Sequence, residues 1–101
     1  MNLTLTNAMK KKPILYVKDG CPWCEEALSF FSQHGVPLDI RDVRGNKKLM
    51  EELIEVSEQS KVPTFAYDDF IVADFSINEF LDELDQVPEV RLELGIGEDE
   101  D

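Results

Sequence analysis

The sequence is poor in positive charge and in cysteine. Of its 101 residues, 10 are Lys or Arg and 22 are Asp or Glu, so the formal net charge is -12. A nucleic-acid-binding protein needs a basic face to neutralise phosphates, and we therefore expect no nucleic-acid partner. With 2 cysteines, the chain cannot form the several disulfides that hold many small secreted domains together.

Long hydrophobic runs are missing as well. A membrane-spanning helix needs about 20 consecutive apolar residues, and no run in the sequence approaches that length. Residues 1–9, MNLTLTNAM, are too polar for the core of a signal peptide. These absences predict a cytoplasmic protein with no membrane partner.

Composition divides the chain into three parts. Residues 1–12 show no helical or strand period and end in three lysines, which predicts a flexible N-terminal arm. Residues 13–87 have the hydrophobic patterns of one small domain. Residues 88–101 contain six acidic side chains and one Arg, which predicts a solvated, poorly ordered acidic tail.

The domain has the sequence patterns of four strands and three helices. Short apolar or alternating runs predict strands at 14–17, 38–43, 64–67 and 70–73, and amphipathic spacing predicts helices at 22–34, 47–57 and from residue 77. The order β-α-β-α-β-β-α predicts an α/β fold, with the first two strands parallel and the last two in a hairpin. One four-stranded mixed sheet with helices on both faces results.

Two of the helices carry specific signals. In the second helix, apolar residues at helical spacing predict the buried face: Leu49, Leu53, Ile54 and Val56. In the third helix, Ser76 lies just before an apolar stripe and Glu79 lies three residues later, within the stripe. This is the spacing of a capping box.

The sequence Cys21-Pro22-Trp23-Cys24 lies between the first strand and the first helix. A thiol attacks a disulfide as its thiolate, so a nucleophilic cysteine needs a pKa below the free value of about 8.5. The unpaired N–H groups and the positive dipole end of a helix N-terminus favour a negative sulfur at Cys21. Lys18, three residues upstream, adds a cation.

Each residue of this motif has a predicted role. Cys21 is the nucleophile, and Cys24, one helical turn later, attacks the mixed disulfide and releases the product. Pro22 fits the first helical position, where no N–H is needed. Trp23 is predicted to be an exposed ring that stacks on the substrate beside its disulfide.

Other interpretations of the cysteine pair are weaker. Two small apolar residues can simply pack at a helix start. A zinc site needs four ligands, and one chain offers two cysteines and one His, so two chains would have to share the metal. We expect no bound metal.

With the strand before Cys-Pro-Trp-Cys, and with Val62-Pro63 before the hairpin, residues 13–86 resemble a glutaredoxin. The resemblance implies a thioredoxin-like fold and matches Cys21, Pro22, Trp23 and Cys24 to the family motif Cys-Pro-aromatic-Cys. It also implies a cis peptide bond before Pro63.

The resemblance also implies glutathione contacts. Val62 matches the residue whose backbone bonds the cysteinyl part of glutathione, and Lys18 matches a basic residue near the thiolate and the glycine carboxylate. The family's Gly-Gly-x-Asp, which holds the γ-glutamyl end, is replaced by Ala73-Asp74-Phe75-Ser76. The negative side chain of Asp74 would repel the glutathione carboxylate that docks at that place, and the positive charge of Lys61 partly offsets this repulsion. The implied glutathione-binding residues are Lys18, Lys61, Val62, Pro63, Asp74, Phe75 and Ser76.

The implied function is thiol-disulfide oxidoreduction. The substrates are disulfide-containing or glutathionylated proteins, and the electron donor is glutathione or a thioredoxin-reductase-type flavoprotein. We expect a monomer. Two alternatives belong to other classes: a non-enzymatic iron–sulfur cluster carrier, in which two chains and two glutathiones share a cluster through Cys21, and a redox-sensing binding module.

Overall fold

Short hydrophobic segments form the four strands of one sheet in a computed structural model that describes residues 12–96. The strands are β1 (Ile14–Val17), β2 (Asp39–Asp42), β3 (Thr64–Tyr67) and β4 (Phe70–Ala73). Their order across the sheet is β2-β1-β3-β4. β1 pairs in parallel with β2, whereas β3 is antiparallel to both β1 and β4. The predicted mixed sheet is confirmed.

Helices cover both faces of the sheet. They are α1 (Pro22–Gln33), α2 (Lys47–Ser57), α3 (Ile77–Leu84) and α4 (Pro88–Leu94). α2 packs on one face, where Leu53 and Tyr16 of β1 are fully buried. α1, α3 and α4 pack on the other face, against Leu15 and Phe65. The two layers of helices confirm the predicted α/β architecture.

Phe80 of α3 is the centre of the larger core. It is fully buried, and its ring centroid lies 5.0 Å from that of Phe65 and 5.1 Å from that of Phe31. The predicted capping box fixes the start of α3: Glu79 N–H donates to Ser76 Oγ at 3.2 Å, and Ser76 N–H donates to Glu79 Oε1 at 2.9 Å. The cap satisfies two backbone N–H groups at the start of α3.

Strand pairing brings three loops to one end of the sheet. Tyr16 pairs with Thr64, and Thr64 pairs with Ala73. The end of β1, the start of β3 and the end of β4 therefore lie side by side. The β3–β4 hairpin, with Asp69, lies at the opposite end.

The predicted buried face of α2 is wrong at two positions. Leu53 is buried and Leu49 half-buried, but Ile54 and Val56 are 45% and 38% exposed. The residues that meet the sheet are Leu49, Met50 and Leu53. At 100° per residue, Ile54 and Val56 fall on the two margins of that face, where the small sheet does not cover them.

The C-terminal part of the domain also differs from the prediction. The acidic composition predicts a poorly ordered tail from residue 88, but the structure contains α4, which begins at Pro88 and is followed by Gly95 at a φ of 75°. Leu94 and Ile96 are 3% and 4% exposed, and Tyr67 Oη donates to Glu93 at 2.7 Å.

The prediction is wrong because it rests on the acidic composition, which does not show that the apolar residues of this segment form a buried stripe. Leu94 and Ile96 complete the core, with Val87 and Val90 packed against it. The rest of the predicted tail, residues 97–101, lies outside the described residues, as does nearly all of the predicted N-terminal arm.

The buried stripe of α4 gives a stability prediction. Leu94→Ala removes a buried side chain and leaves a cavity, so it should lower the free energy of unfolding by about 2–5 kcal/mol. Leu92→Ala is the matched control, because Leu92 lies on the same helix but is 82% exposed, and it should change stability by less than about 0.5 kcal/mol. Urea denaturation measures both. Equal effects would show that α4 does not pack on the domain.

Candidate active site

The two cysteines lie where β1 gives way to α1. Cys21 is the N-cap of α1 and Pro22 its first helical residue, as the sequence predicts. The backbone N–H of Cys24 donates to Cys21 Sγ at 3.2 Å, and Cys21 N–H donates to the Lys18 carbonyl at 3.1 Å. One N–H group of the first helical turn thus points at the Cys21 sulfur, and the N-terminal end of a helix favours negative charge.

The environments of the two thiols are unequal. Both cysteines are free; Cys21 is half-buried, whereas Cys24 is 1% exposed. Burial raises the pKa of Cys24 to about 12, and its hydrogen bond with Cys21 acts in the same direction. Cys24 is therefore a protonated thiol at neutral pH, and Cys21 is the thiol that a substrate can reach.

The other residues of the motif face solvent. Trp23 is 56% exposed and Pro22 is exposed. Lys18 is exposed too, and its described link to Cys21 runs through the backbone carbonyl rather than through the side chain. The structure thus exposes the Trp23 side chain beside Cys21 and places Lys18 at the start of the same loop.

The loop before β3 lies at the same end of the sheet. The Val62-Pro63 peptide bond is cis, as the resemblance implied. Pro63 is buried, Val62 half-buried and Lys61 exposed. Because Thr64 pairs with Tyr16, this loop and the Cys21 loop leave neighbouring strands side by side.

Gln59 and Thr64 organise this loop, and sequence reasoning missed both. Gln59 Nε2 donates to Ser57 Oγ at 2.7 Å and to Thr64 Oγ1 at 3.2 Å, while Lys61 N–H donates to Gln59 Oε1 at 2.8 Å. Thr64 is fully buried, and its hydroxyl donates to the Lys61 carbonyl at 2.8 Å. The available signal was a hydroxyl residue at the start of an otherwise apolar strand.

The segment after β4 forms a groove with Trp23. A cavity of about 300 Å³ is lined by Trp23, Asp74, Phe75, Ser76 and Glu79. Asp74 N–H donates to the Pro63 carbonyl at 2.8 Å, which ties this segment to the cis-proline loop. Phe75 is 3% exposed and Ser76 caps α3, so both serve the fold, whereas Asp74 is exposed.

Two further properties concern metals and membranes. Within residues 12–96, no three His, Cys, Asp or Glu side chains come together in a way that would hold a metal ion. None of the helices in this same range has the length and apolar character needed to cross a bilayer.

Sequence comparison identifies the family. The sequence model of the glutaredoxins matches residues 14–72, more than half of the chain. This chain belongs to the glutaredoxin family. The match includes both cysteines and the cis-proline, and it ends directly before the Ala73–Ser76 segment that departs from the family pattern.

Individual glutaredoxins support this assignment. The chain is 33% identical over 54 residues to Glutaredoxin 3 of Escherichia coli strain K12, a match that covers 54% of this chain and 65% of that relative. A glutaredoxin structure from Archaeoglobus fulgidus superposes with a TM-score of 0.63 at 20% identity, covering 83% of this chain and 95% of the other.

A thioredoxin-like protein of known crystal structure gives a TM-score of 0.64 at 25% identity, over 72% of this chain and 100% of the other. The glutaredoxin domain therefore has the thioredoxin-like fold that the resemblance implied.

The unequal thiols of this glutaredoxin domain predict selective alkylation. At neutral pH, iodoacetamide should modify Cys21 at least about tenfold faster than Cys24, because alkylation needs a thiolate and Cys24 is buried with a raised pKa. Raising the pH should increase the modification of Cys24, since its thiolate fraction grows. Mass spectrometry of the fragmented peptide assigns the site.

The Cys21→Ser variant is the control for this experiment. Its remaining thiol, Cys24, should react slowly in the native protein and rapidly after denaturation in urea. Modification of both native cysteines at equal rates would contradict the assignment.

The Gln59 hydrogen bonds give a second prediction. Gln59→Ala leaves the buried Thr64 hydroxyl with fewer partners and should lower the free energy of unfolding by about 1–3 kcal/mol. Ser60→Ala, one residue away at an exposed position, should change it by less than about 0.5 kcal/mol. Chemical denaturation of both variants is the measurement, and similar stabilities would show that Gln59 is dispensable.

Proposed function

We propose that the chain is a thiol-disulfide oxidoreductase that reduces protein disulfides or glutathione mixed disulfides with the Cys21 and Cys24 dithiol. The observation that supports this most directly is the difference between the thiols: Cys21 Sγ accepts a helix N-terminal N–H, and Cys24 is buried one turn away. Membership of the glutaredoxin family supports the same activity.

The reaction proceeds in two exchanges. The Cys21 thiolate attacks one sulfur of the substrate disulfide, the S–S bond breaks, and the leaving thiolate takes a proton from water. Cys24 then attacks the Cys21 sulfur, the S–S bond of the mixed disulfide breaks, and the Cys24 proton passes to the departing substrate sulfur, which leaves as a thiol; a disulfide between Cys21 and Cys24 remains. Two electrons pass from the dithiol to the substrate.

The raised pKa of Cys24 fits the second exchange. A protonated Cys24 does not compete with Cys21 for the incoming disulfide, because the thiol is a poor nucleophile. It acts only after the mixed disulfide has formed, when loss of its proton becomes coupled to attack on the neighbouring sulfur. The dithiol thus works in a fixed order.

An external donor must return the electrons. Glutathione is the donor that glutaredoxins typically use, and a thioredoxin-reductase-type flavoprotein is the second candidate. The protein acts in the cytoplasm as a monomer, with Lys18, Lys61, Val62 and Pro63 near the bound glutathione or substrate.

One experiment distinguishes the donors. The protein is supplied with glutathione, glutathione reductase and NADPH, or with thioredoxin reductase and NADPH, and NADPH loss is followed with a small mixed disulfide or with insulin as acceptor. Turnover with glutathione indicates a glutaredoxin in function, and turnover only with the flavoprotein indicates a thioredoxin-like one. No turnover in either assay would contradict the proposed activity.

The two cysteine roles predict different variants. Cys21→Ser should abolish turnover, since the nucleophile is lost. Cys24→Ser should accumulate the mixed disulfide, visible as an added substrate mass, and should retain activity on glutathionylated substrates, where free glutathione resolves the intermediate. Equal loss of activity in both variants on every substrate would show that the roles are misassigned or that glutathione is not used.

A further inference from the structure

The groove beside the dithiol is lined by acidic side chains and one exposed aromatic ring. Two adjoining cavities of about 330 and 300 Å³ share Asp74, Phe75 and Glu79. The first cavity adds Glu83 and the second adds Trp23. Neither lining includes a Lys or an Arg among the described residues. The charged side chains that line the groove are therefore all carboxylates.

The groove is placed to meet a substrate. Trp23 lies between the two cysteines, and Asp74 is tied by its backbone to Pro63, at the end of the sheet where Cys21 lies. Trp23 and Asp74 therefore lie at the end of the sheet where a disulfide would meet Cys21, and the groups that flank such a disulfide would lie near this part of the groove.

The conformation of Asp74 is unusual for a residue with a side chain. Its φ is 54°, in the left-handed region, which costs an L residue roughly 1–2 kcal/mol and is tolerated best by Asn and Asp. In the described part of the chain, its carboxylate makes no hydrogen bond or ion pair that would stabilise the fold. Asp74 thus presents an exposed carboxylate to the groove without a structural partner among residues 12–96.

We propose that this groove selects disulfides whose neighbouring groups are positively charged, such as a protein disulfide flanked by Lys or Arg, and that it disfavours glutathione. This selectivity rests on the proposed oxidoreductase function and concerns the substrates that reach Cys21. The carboxylates of Asp74, Glu79 and Glu83 attract cations, and the exposed face of Trp23 adds a cation–π contact.

Glutathione has the opposite charge pattern. It carries two carboxylates and one ammonium group, so its net charge is negative, and its carboxylates meet repulsion in the groove. Lys18 and Lys61 line neither cavity. The redox step is the pair of exchanges described above; charge selection acts on the approach of the disulfide to Cys21 and needs no additional reactant.

Single-turnover kinetics with small disulfides test the inference. The full chain is reduced with dithiothreitol, separated from it, and mixed with cystamine, hydroxyethyl disulfide or dithiodipropionate, which carry two positive charges, no charge and two negative charges. Oxidation to the intramolecular disulfide is followed by acid quenching and mass spectrometry. Each rate is divided by the rate of the same disulfide with dithiothreitol, which corrects for intrinsic reactivity.

The normalised rate should be highest for the cationic disulfide, intermediate for the neutral one and lowest for the anionic one. At low ionic strength the cation should exceed the anion on the order of tenfold, and salt should reduce this ratio because it screens the exposed carboxylates. Asp74→Asn and Glu83→Gln should each lower the ratio by about threefold. Glu79 is left intact because it closes the capping box of α3.

Asp69→Asn is the matched control. It removes the same charge from the hairpin at the opposite end of the sheet, so it should leave the ratio unchanged. Equal normalised rates for cation and anion at low salt would overturn the inference while the proposed function stands. An effect of Asp69→Asn as large as that of Asp74→Asn would also overturn it, since net charge rather than the groove would be selecting. No oxidation by any disulfide would overturn the proposed function itself.

Discussion

The pairing of β1 with β3 is the interaction on which the candidate site depends. β1 is central in the sheet, and its Leu15 and Tyr16 are fully buried on opposite faces. Because Tyr16 pairs with Thr64 in antiparallel register, the chain leaves β1 at the place where it enters β3. Cys21 and Val62, 41 residues apart in sequence, are thereby brought to one end of the sheet.

The unequal character of the two thiols follows from the geometry of one helix. Cys21 is the N-cap, outside the helix, where its sulfur accepts the backbone N–H of Cys24. Cys24 lies three residues later, on the stripe that also buries Ala27 and Phe31. The spacing that packs α1 on the sheet also shields the Cys24 thiol from water. A two-residue spacer is therefore sufficient to separate a partly exposed sulfur from a buried one.

Local signals in the sequence predicted most of the elements. The bounds of α2, β3 and β4 follow from apolar runs and from the turn between the strands, and Ser76 with Glu79 marks the start of α3. Exposure was harder to predict, because it depends on which distant elements cover a residue. Ile40 is apolar but 54% exposed because β2 is an edge strand.

The site could be predicted where chemistry depends on adjacent residues. The Cys-Pro-Trp-Cys sequence and the Val62-Pro63 pair are local motifs, and the structure places both at one end of the sheet. The hydrogen bonds of Gln59 arise only after the loop has folded back on Thr64. The left-handed conformation of Asp74 also has no sequence signature, since Asp is common in turns of many kinds.

The acidic residues around β4 have a consequence for assembly of the sheet. β4 is an edge strand, and its unpaired backbone groups are a template on which another strand can add. Asp69 precedes the strand and Asp74 follows it. If a second copy added its own β4 in antiparallel orientation, Asp69 of each copy would approach Asp74 of the other, and the like charges would repel. Asp74 therefore bears on the solubility of the folded chain as well as on the groove that it lines.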